Sequence, residues 1–218
     1  MSKPLIVVVG AGPGVGLSVA KKFGAQEFRV VLVSRNKETL EQHAAGLRTE
    51  GIDARGVTAD ASDTASLKAA FEQIKRDHGS PDVLVYNAAA LIPGTPLSLT
   101  EDRLLNEFKL NVAGALTSAL QVAPDMIERK RGTILFTGGG LALHPMARVA
   151  SLSIGKAGIR SLAFTLNEEL APHGVFVGTV TIGGYVKPGT FFDPDRIAEK
   201  YWQLYVEREE TEIVFKED

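Results

Sequence analysis

The chain of 218 residues contains no cysteine, which excludes disulfides, thiolate nucleophiles and cysteine-ligated metal. Its four histidines are scattered without metal-ligand spacing, so no metal site is expected. No His-Glu-x-x-His or Gly-x-Ser-x-Gly pattern occurs, and Gly155-Lys156 lacks the earlier glycine and following Ser or Thr of a phosphate loop. Charge of one sign is also missing. The net charge is −2 with no basic block, which argues against nucleic acid and anionic membrane as partners. No window approaches the roughly 20 apolar residues of a membrane span. The apolar stretch behind Lys3 is short and broken by glycines and a proline, so it reads as strand and turn rather than secretory leader. A cytoplasmic, soluble protein is the expectation.

What is present alternates. Apolar residues make up 44% and charged residues 23% of the chain, ordinary values for one globular domain spanning residues 1–218. Strand-like runs fall at 5–9, 29–34, 53–58, 83–86, 133–137, 175–181 and 212–215. Helical patterns fill 14–24, 37–50, 63–77, 101–129, 149–171 and 195–207. Asp63 and Thr100 suit N-caps, Glu101 and Asp102 suit the positive end of their helix, and Gly51 and Gly79 close the helices before them. Pro124 predicts a kink inside 101–129. Near-continuous apolar strands alternating with helices predict right-handed crossovers and strands buried on both faces. The fold class is therefore α/β, a single-domain Rossmann fold with a doubly wound, seven-stranded parallel sheet and helices on both faces. Its ligand crevice lies at the carboxyl ends of the strands.

The first strand runs into a glycine turn, Val9-Gly10-Ala11-Gly12-Pro13-Gly14-Val15-Gly16, and then a helix. This arrangement holds a dinucleotide diphosphate against a helix N-terminus, with Gly10, Gly12, Gly14, Val15 and Gly16 beside it. After the second strand the chain reads Ser34-Arg35-Asn36. A carboxylate there would mark NAD through the ribose hydroxyl; Arg35 instead offers a planar donor fork for a phosphate, favouring NADP(H) over NAD(H). Its alternative is a solvated arginine at a helix start. Asp60, followed by Ala61, can accept from the adenine amino group. Asn87, followed by Ala88 and Ala89, can hold backbone near the cofactor. Both Asp60 and Asn87 are equally suited to turns.

Together these residues resemble the short-chain dehydrogenase/reductase family over essentially the whole chain. The family's T-G-x-x-x-G-x-G turn looks like Val9-Gly10 through Gly14 and Gly16, and its N-N-A-G segment looks like Tyr86-Asn87-Ala88-Ala89. Its active-site asparagine falls on Asn111, and its Y-x-x-x-K lysine on Lys156, followed by Ala157-Gly158. The resemblance implies a nicotinamide-dependent oxidoreductase. Lys156 would hold the nicotinamide ribose; Asn111 would support a water near the lysine or bond helix backbone. Gly183 would stand by the cofactor in Thr181-Ile182-Gly183, where the family has proline-glycine. It also implies a homodimer or homotetramer in which helices 101–129 and 149–171 pair across a two-fold axis.

Two positions depart from the family. Its tyrosine position is Leu152 and its serine position is Gly139, so neither catalytic hydroxyl is present. Loss of a general acid alone costs roughly 10²–10⁴ in rate. Candidate substitutes are His144, Tyr185 and Tyr86. Ser151 and Ser153 flank Leu152, but helix neighbours point about 100° away, and the enoyl-reductase tyrosine position falls on Val149. The expected function is an NADP(H)-dependent oxidoreductase acting on a small carbonyl or alcohol with an altered proton relay. The alternative is a catalytically inactive NADP(H)-binding protein, a sensor or partner subunit; a third reading is a fold relic that binds no nucleotide.

Overall fold

Runs of β-branched and apolar residues form the middle strands, because only such residues tolerate burial between two helix layers. The computed structural model describes residues 3–217. Its strands are β1 (Leu5–Val9), β2 (Arg29–Ser34), β3 (Ala54–Thr58), β4 (Val83–Tyr86), β5 (Gly132–Thr137), β6 (Val175–Ile182) and β7 (Glu212–Phe215). All pair in parallel in one sheet ordered β3-β2-β1-β4-β5-β6-β7. Every residue of β1, β4 and β5 is buried. The expectation of burial on both faces fails for β3, where Arg55, Gly56 and Thr58 are exposed, because β3 is an edge strand paired only with β2.

The helices are α1 (Val15–Ala25), α2 (Lys37–Thr49), α3 (Thr64–His78), α4 (Glu101–Phe108), α5 (Gly114–Glu128), α6 (Ala150–Leu170) and α7 (Pro194–Glu207). Leu67, Phe71, Met126, Ile159 and Leu166 from α3, α5 and α6 build the core on one face of the sheet. Val19, Phe23, Leu40, Tyr201 and Leu204 from α1, α2 and α7 build it on the other. Asp63 accepts hydrogen bonds from the Ala65 and Ser66 amides and Thr100 from that of Arg103, as their N-cap chemistry predicts. Gly51 and Gly79 take φ of 82° and 92° just beyond α2 and α3. No helix among the described residues is long and apolar enough to cross a membrane.

The long pattern at 101–129 is not one kinked helix. Pro124 lies inside α5, while the break in α geometry falls earlier, at a π turn over Lys109–Ala113. Two contacts hold that turn. The Tyr86 hydroxyl donates to the Leu110 carbonyl, and Asn111 Oδ1 accepts from the Ala90 amide at 2.9 Å. A π turn adds a residue without ending the helix, and such insertions concentrate at functional sites.

Strand β7 is fastened by Glu212, whose side chain is 9% exposed. Arg160 of α6 donates to it at 2.7–3.0 Å from Nη2 and Nε, and the Thr181 hydroxyl of β6 at 2.5 Å. Burial pushes the Glu212 carboxyl up, but the bonds from Arg160 and Thr181 outweigh it and hold the group below its ordinary 4.5. Glu212→Gln is expected to lower stability by about 2–3 kcal/mol, and Tm by roughly 4–12 °C. A depressed folded value means the charge contributes above the unfolded pKa and is lost as pH falls through the folded one. The gap between wild type and variant should therefore narrow below about pH 4.5, read by calorimetry at neutral and acidic pH.

Candidate functional site

Parallel pairing aligns Val9 with Val33 on one side and Tyr86 on the other, so Gly10, Ser34 and Asn87 meet at the carboxyl edge of the sheet. Gly10 has φ 87°, and a Cβ there would lie 2.4 Å from the Ala88 amide nitrogen. A Cβ on Gly16 would lie 2.5 Å from the Gly10 carbonyl oxygen. These two glycines close the turn onto the sheet and onto α1. Gly12 and Gly14 do the opposite: nothing lies within 4 Å of their Cβ directions, so the outer face of the turn is open. Gly14 gives α1 no side-chain cap, and the Val15 and Gly16 amides have no hydrogen-bond partner among the described residues, whereas the Leu17 amide is taken by the Gly12 carbonyl at 3.2 Å.

A chain of hydrogen bonds sets the turn. Asn87 Nδ2 donates to the Gly10 carbonyl at 2.9 Å, and Asn87 Oδ1 accepts from the Thr137 hydroxyl at 2.8 Å. With its one proton so used, Thr137 must accept from the Tyr201 hydroxyl at 2.6 Å. Burial pushes the Tyr201 phenol well above its ordinary range, which keeps it protonated for that role. Asn87 thus acts as the backbone holder, not merely as a turn residue. Thr137 and Tyr201 were not singled out from sequence; the signal was Thr137 closing a strand two residues before Gly139.

Around the second strand, Arg35 is exposed and makes no hydrogen bond or ion pair among the described residues. Asp60 accepts from the Ser62 hydroxyl at 2.6 Å and amide at 2.8 Å, which lower its pKa, with Arg35 adding a smaller electrostatic pull. Ser34 passes its carbonyl to the Ala59 amide at 3.0 Å, and Asn36 caps α2 through the Thr39 amide at 2.9 Å. Asn36 therefore serves the helix. Ala61 is buried, and its carbonyl oxygen lies 2.2 Å from where a Cβ on Gly114 would be, so α5 begins hard against it.

At the other end of the crevice, Lys156 Nζ donates to the Thr137 carbonyl at 2.6 Å. Burial lowers its pKa to about 8. A Cβ on Gly139 would touch Lys156 Cγ, Cδ and Cε at 3.4 Å, so Gly139 lies along the lysine stem. Leu152, one helical turn before the lysine, is buried. Asn111 is buried, and its Oδ1 accepts from the Ala90 amide of the loop after β4 rather than from helix backbone, while its Nδ2 has no partner among the described residues. Gly183 donates to the Phe215 carbonyl at 2.8 Å, and its Cα lies 3.1 Å from the Cβ direction of Gly140, which brings it beside the Gly139 segment.

Three proposed substitutes for the missing hydroxyls do not join this cluster. Tyr86 is buried and spends its hydroxyl on Leu110, and burial pushes its phenol well up. His144 is exposed, and Tyr185 is 80% exposed on the segment after β6.

The residues present suit a nicotinamide dinucleotide: an open glycine face on a helix N-terminus, an Arg35 unpaired among the described residues beside the second strand, and a half-buried Lys156 at the far end. A family model described as short chain dehydrogenase matches residues 4–192. Among similar proteins is the 2,3-dihydro-2,3-dihydroxybenzoate dehydrogenase of Bacillus subtilis (strain 168), 27% identical over 209 residues that cover 96% of this chain and 76% of that one. Another is the inactive hydroxysteroid dehydrogenase-like protein 1 of Homo sapiens, 29% identical over 174 residues, 78% of this chain and 52% of that one. A solved metagenomic short-chain oxidoreductase in complex with NADP is 28% identical with TM-score 0.89, over 98% of this chain and 97% of that one.

Proposed function

Because the chain belongs to the short-chain dehydrogenase family, we propose that it binds NADP(H) in preference to NAD(H) and interconverts a small carbonyl compound and its alcohol through an altered proton relay. The observation that carries this reading is the continuous chain of hydrogen bonds from Gly10 through Asn87 and Thr137 to Lys156, which ties the glycine turn to the lysine. The amides around Gly12, Gly14, Val15 and Gly16 would take the diphosphate, and Arg35 with Ser34 the phosphate on the adenosine ribose. Asp60 and Ala61 would border the adenine, with Asn87, Ala88 and Ala89 along the dinucleotide. Lys156 would hold the nicotinamide ribose, with Gly183 beside the ring. Bound there, the cofactor supplies or accepts hydride. Asn111 holds the Ala90 backbone, which would wall the substrate side.

Calorimetric titration with NADPH and NADH, followed by a carbonyl panel read as cofactor oxidation, tests this. Saturable binding with NADPH the tighter, and turnover above background on some carbonyl, is the expected result. Tight binding with no turnover favours the second reading, a non-catalytic sensor or partner subunit, which rests on Leu152 and Gly139. No saturable binding would mean a relic of the fold. Exposed Leu105, Leu116, Leu120, Ile154 and Phe164 on α4, α5 and α6 support a homodimer or homotetramer formed through these helices. A monomer in light scattering would count against that assembly.

A further inference from the structure

We propose that Lys156 itself is the proton donor of this site, its ammonium replacing the hydroxyls absent at Leu152 and Gly139. The inference rests on the oxidoreductase reading above and deepens it. Its first support is elimination. Around the end of β5, Tyr86 and Tyr201 are buried and committed to Leu110 and Thr137, while His144 and Tyr185 are exposed. Of the titratable groups here, Lys156 is the one whose stem lies against Gly139 and whose head is held at the end of β5.

The second support is geometry. The ammonium carries three protons, and one is placed on the Thr137 carbonyl at 2.6 Å. The flank of the lysine stem along Gly139 carries no side chain, and Leu152 one turn earlier offers no competing donor or acceptor. The nearest charged groups on α6 and the π turn are engaged elsewhere. Arg160, one turn on, is paired with Glu212 of β7, and Lys109 of the π turn donates to Asn106. Burial alone lowers the lysine to about 8, with no carboxylate opposing it. A donor with a pKa near the working pH is mostly protonated yet releases its proton readily.

The step balances as follows. The carbonyl carbon gains hydride from a reduced nicotinamide dinucleotide, which is oxidised. The oxygen, now an alkoxide, takes a proton as the Nζ–H bond breaks and the O–H bond forms. The neutral amine regains its proton from solvent.

Two measurements test it. The first needs no turnover: the pH dependence of Lys156 acylation by an amine reagent, read by mass spectrometry on the protein without cofactor. A midpoint near 8 is expected, and one at the ordinary 10.5 overturns the proposal. The second is Lys156→Arg, which keeps the charge but cannot surrender it. NADPH binding within about tenfold of wild type, with carbonyl reduction down about 10²–10⁴-fold and no fall in rate through pH 8, is expected. If Lys156→Arg keeps half the wild-type rate, this proposal alone fails. If wild-type protein binds NADPH yet reduces no carbonyl, the oxidoreductase reading falls and takes this one with it.

Discussion

The double substitution Leu152→Tyr with Gly139→Ser is expected to raise kcat/KM for carbonyl reduction by about 10²-fold, because the serine adds polarisation while the phenol takes over a proton transfer that Lys156 already performs. Position 139 accepts a side chain without backbone strain. Gly139 has φ −169°, extended backbone that any residue adopts, and a Cβ there meets only the Lys156 stem at an ordinary 3.4 Å. Position 152 lies one turn before Lys156 on α6, so a phenol there would stand close to the ammonium, whose charge lowers its pKa. The serine would add a donor toward the carbonyl oxygen as charge develops on it. Most of the gain should come from the serine, since the tyrosine replaces an acid already present whereas nothing else polarises the carbonyl. In this background Lys156→Arg should cost far less than in the wild type, because the phenol has taken over the proton. Cofactor oxidation over the same carbonyl panel reads the result. No gain on any carbonyl, with NADPH binding intact, would show that the crevice is not shaped for such a substrate.

Much of this was legible in the sequence, and the failures have physical reasons. Strands β1, β2, β4 and β7 begin and end where the sequence pattern puts them; the punctuation is local, as where Gly10 ends β1 and Asp82 and Asn87 bracket β4. The glycine turn was legible for the same reason, although only coordinates separate Gly10 and Gly16, which must lack a side chain, from Gly12 and Gly14, which open a face. The π turn was not legible. Pro124 drew the expected kink to itself, whereas the actual break depends on Tyr86 and Ala90, about 20 residues away in sequence, bonding Leu110 and Asn111. Tyr201 was invisible as a site residue because it reaches Thr137 from a helix 64 residues further on. Burial of β3 was overestimated because alternation says that a strand exists, not whether it ends at the sheet's rim. Long-range hydrogen bonds and sheet order are tertiary facts, and the site is assembled from them.

Arg35→Glu is expected to reverse cofactor preference, shifting the ratio of NADPH to NADH affinity by about 10²–10³-fold. The guanidinium is exposed and, among the described residues, unpaired, so nothing within the chain has to be broken before it meets a phosphate. A charge-assisted bond of this kind contributes about 1.5–3 kcal/mol. Replacing it with a carboxylate also introduces repulsion toward the phosphate and an acceptor for a ribose hydroxyl. Arg35→Ala separates the two effects: it should weaken NADPH by the first contribution alone and leave NADH nearly unchanged. The fold should tolerate either change. Arg35 precedes the Asn36 cap of α2, whose bond to the Thr39 amide does not involve it, and a negative charge at that helix start is favourable. The pairing is solvent-exposed, so the wild-type preference should shrink as ionic strength rises. Isothermal titration of both cofactors against wild type and the two variants, at low and high salt, reads all of this. Equal affinities throughout, insensitive to salt, would make Arg35 a solvated helix-start residue and remove the basis for NADP(H).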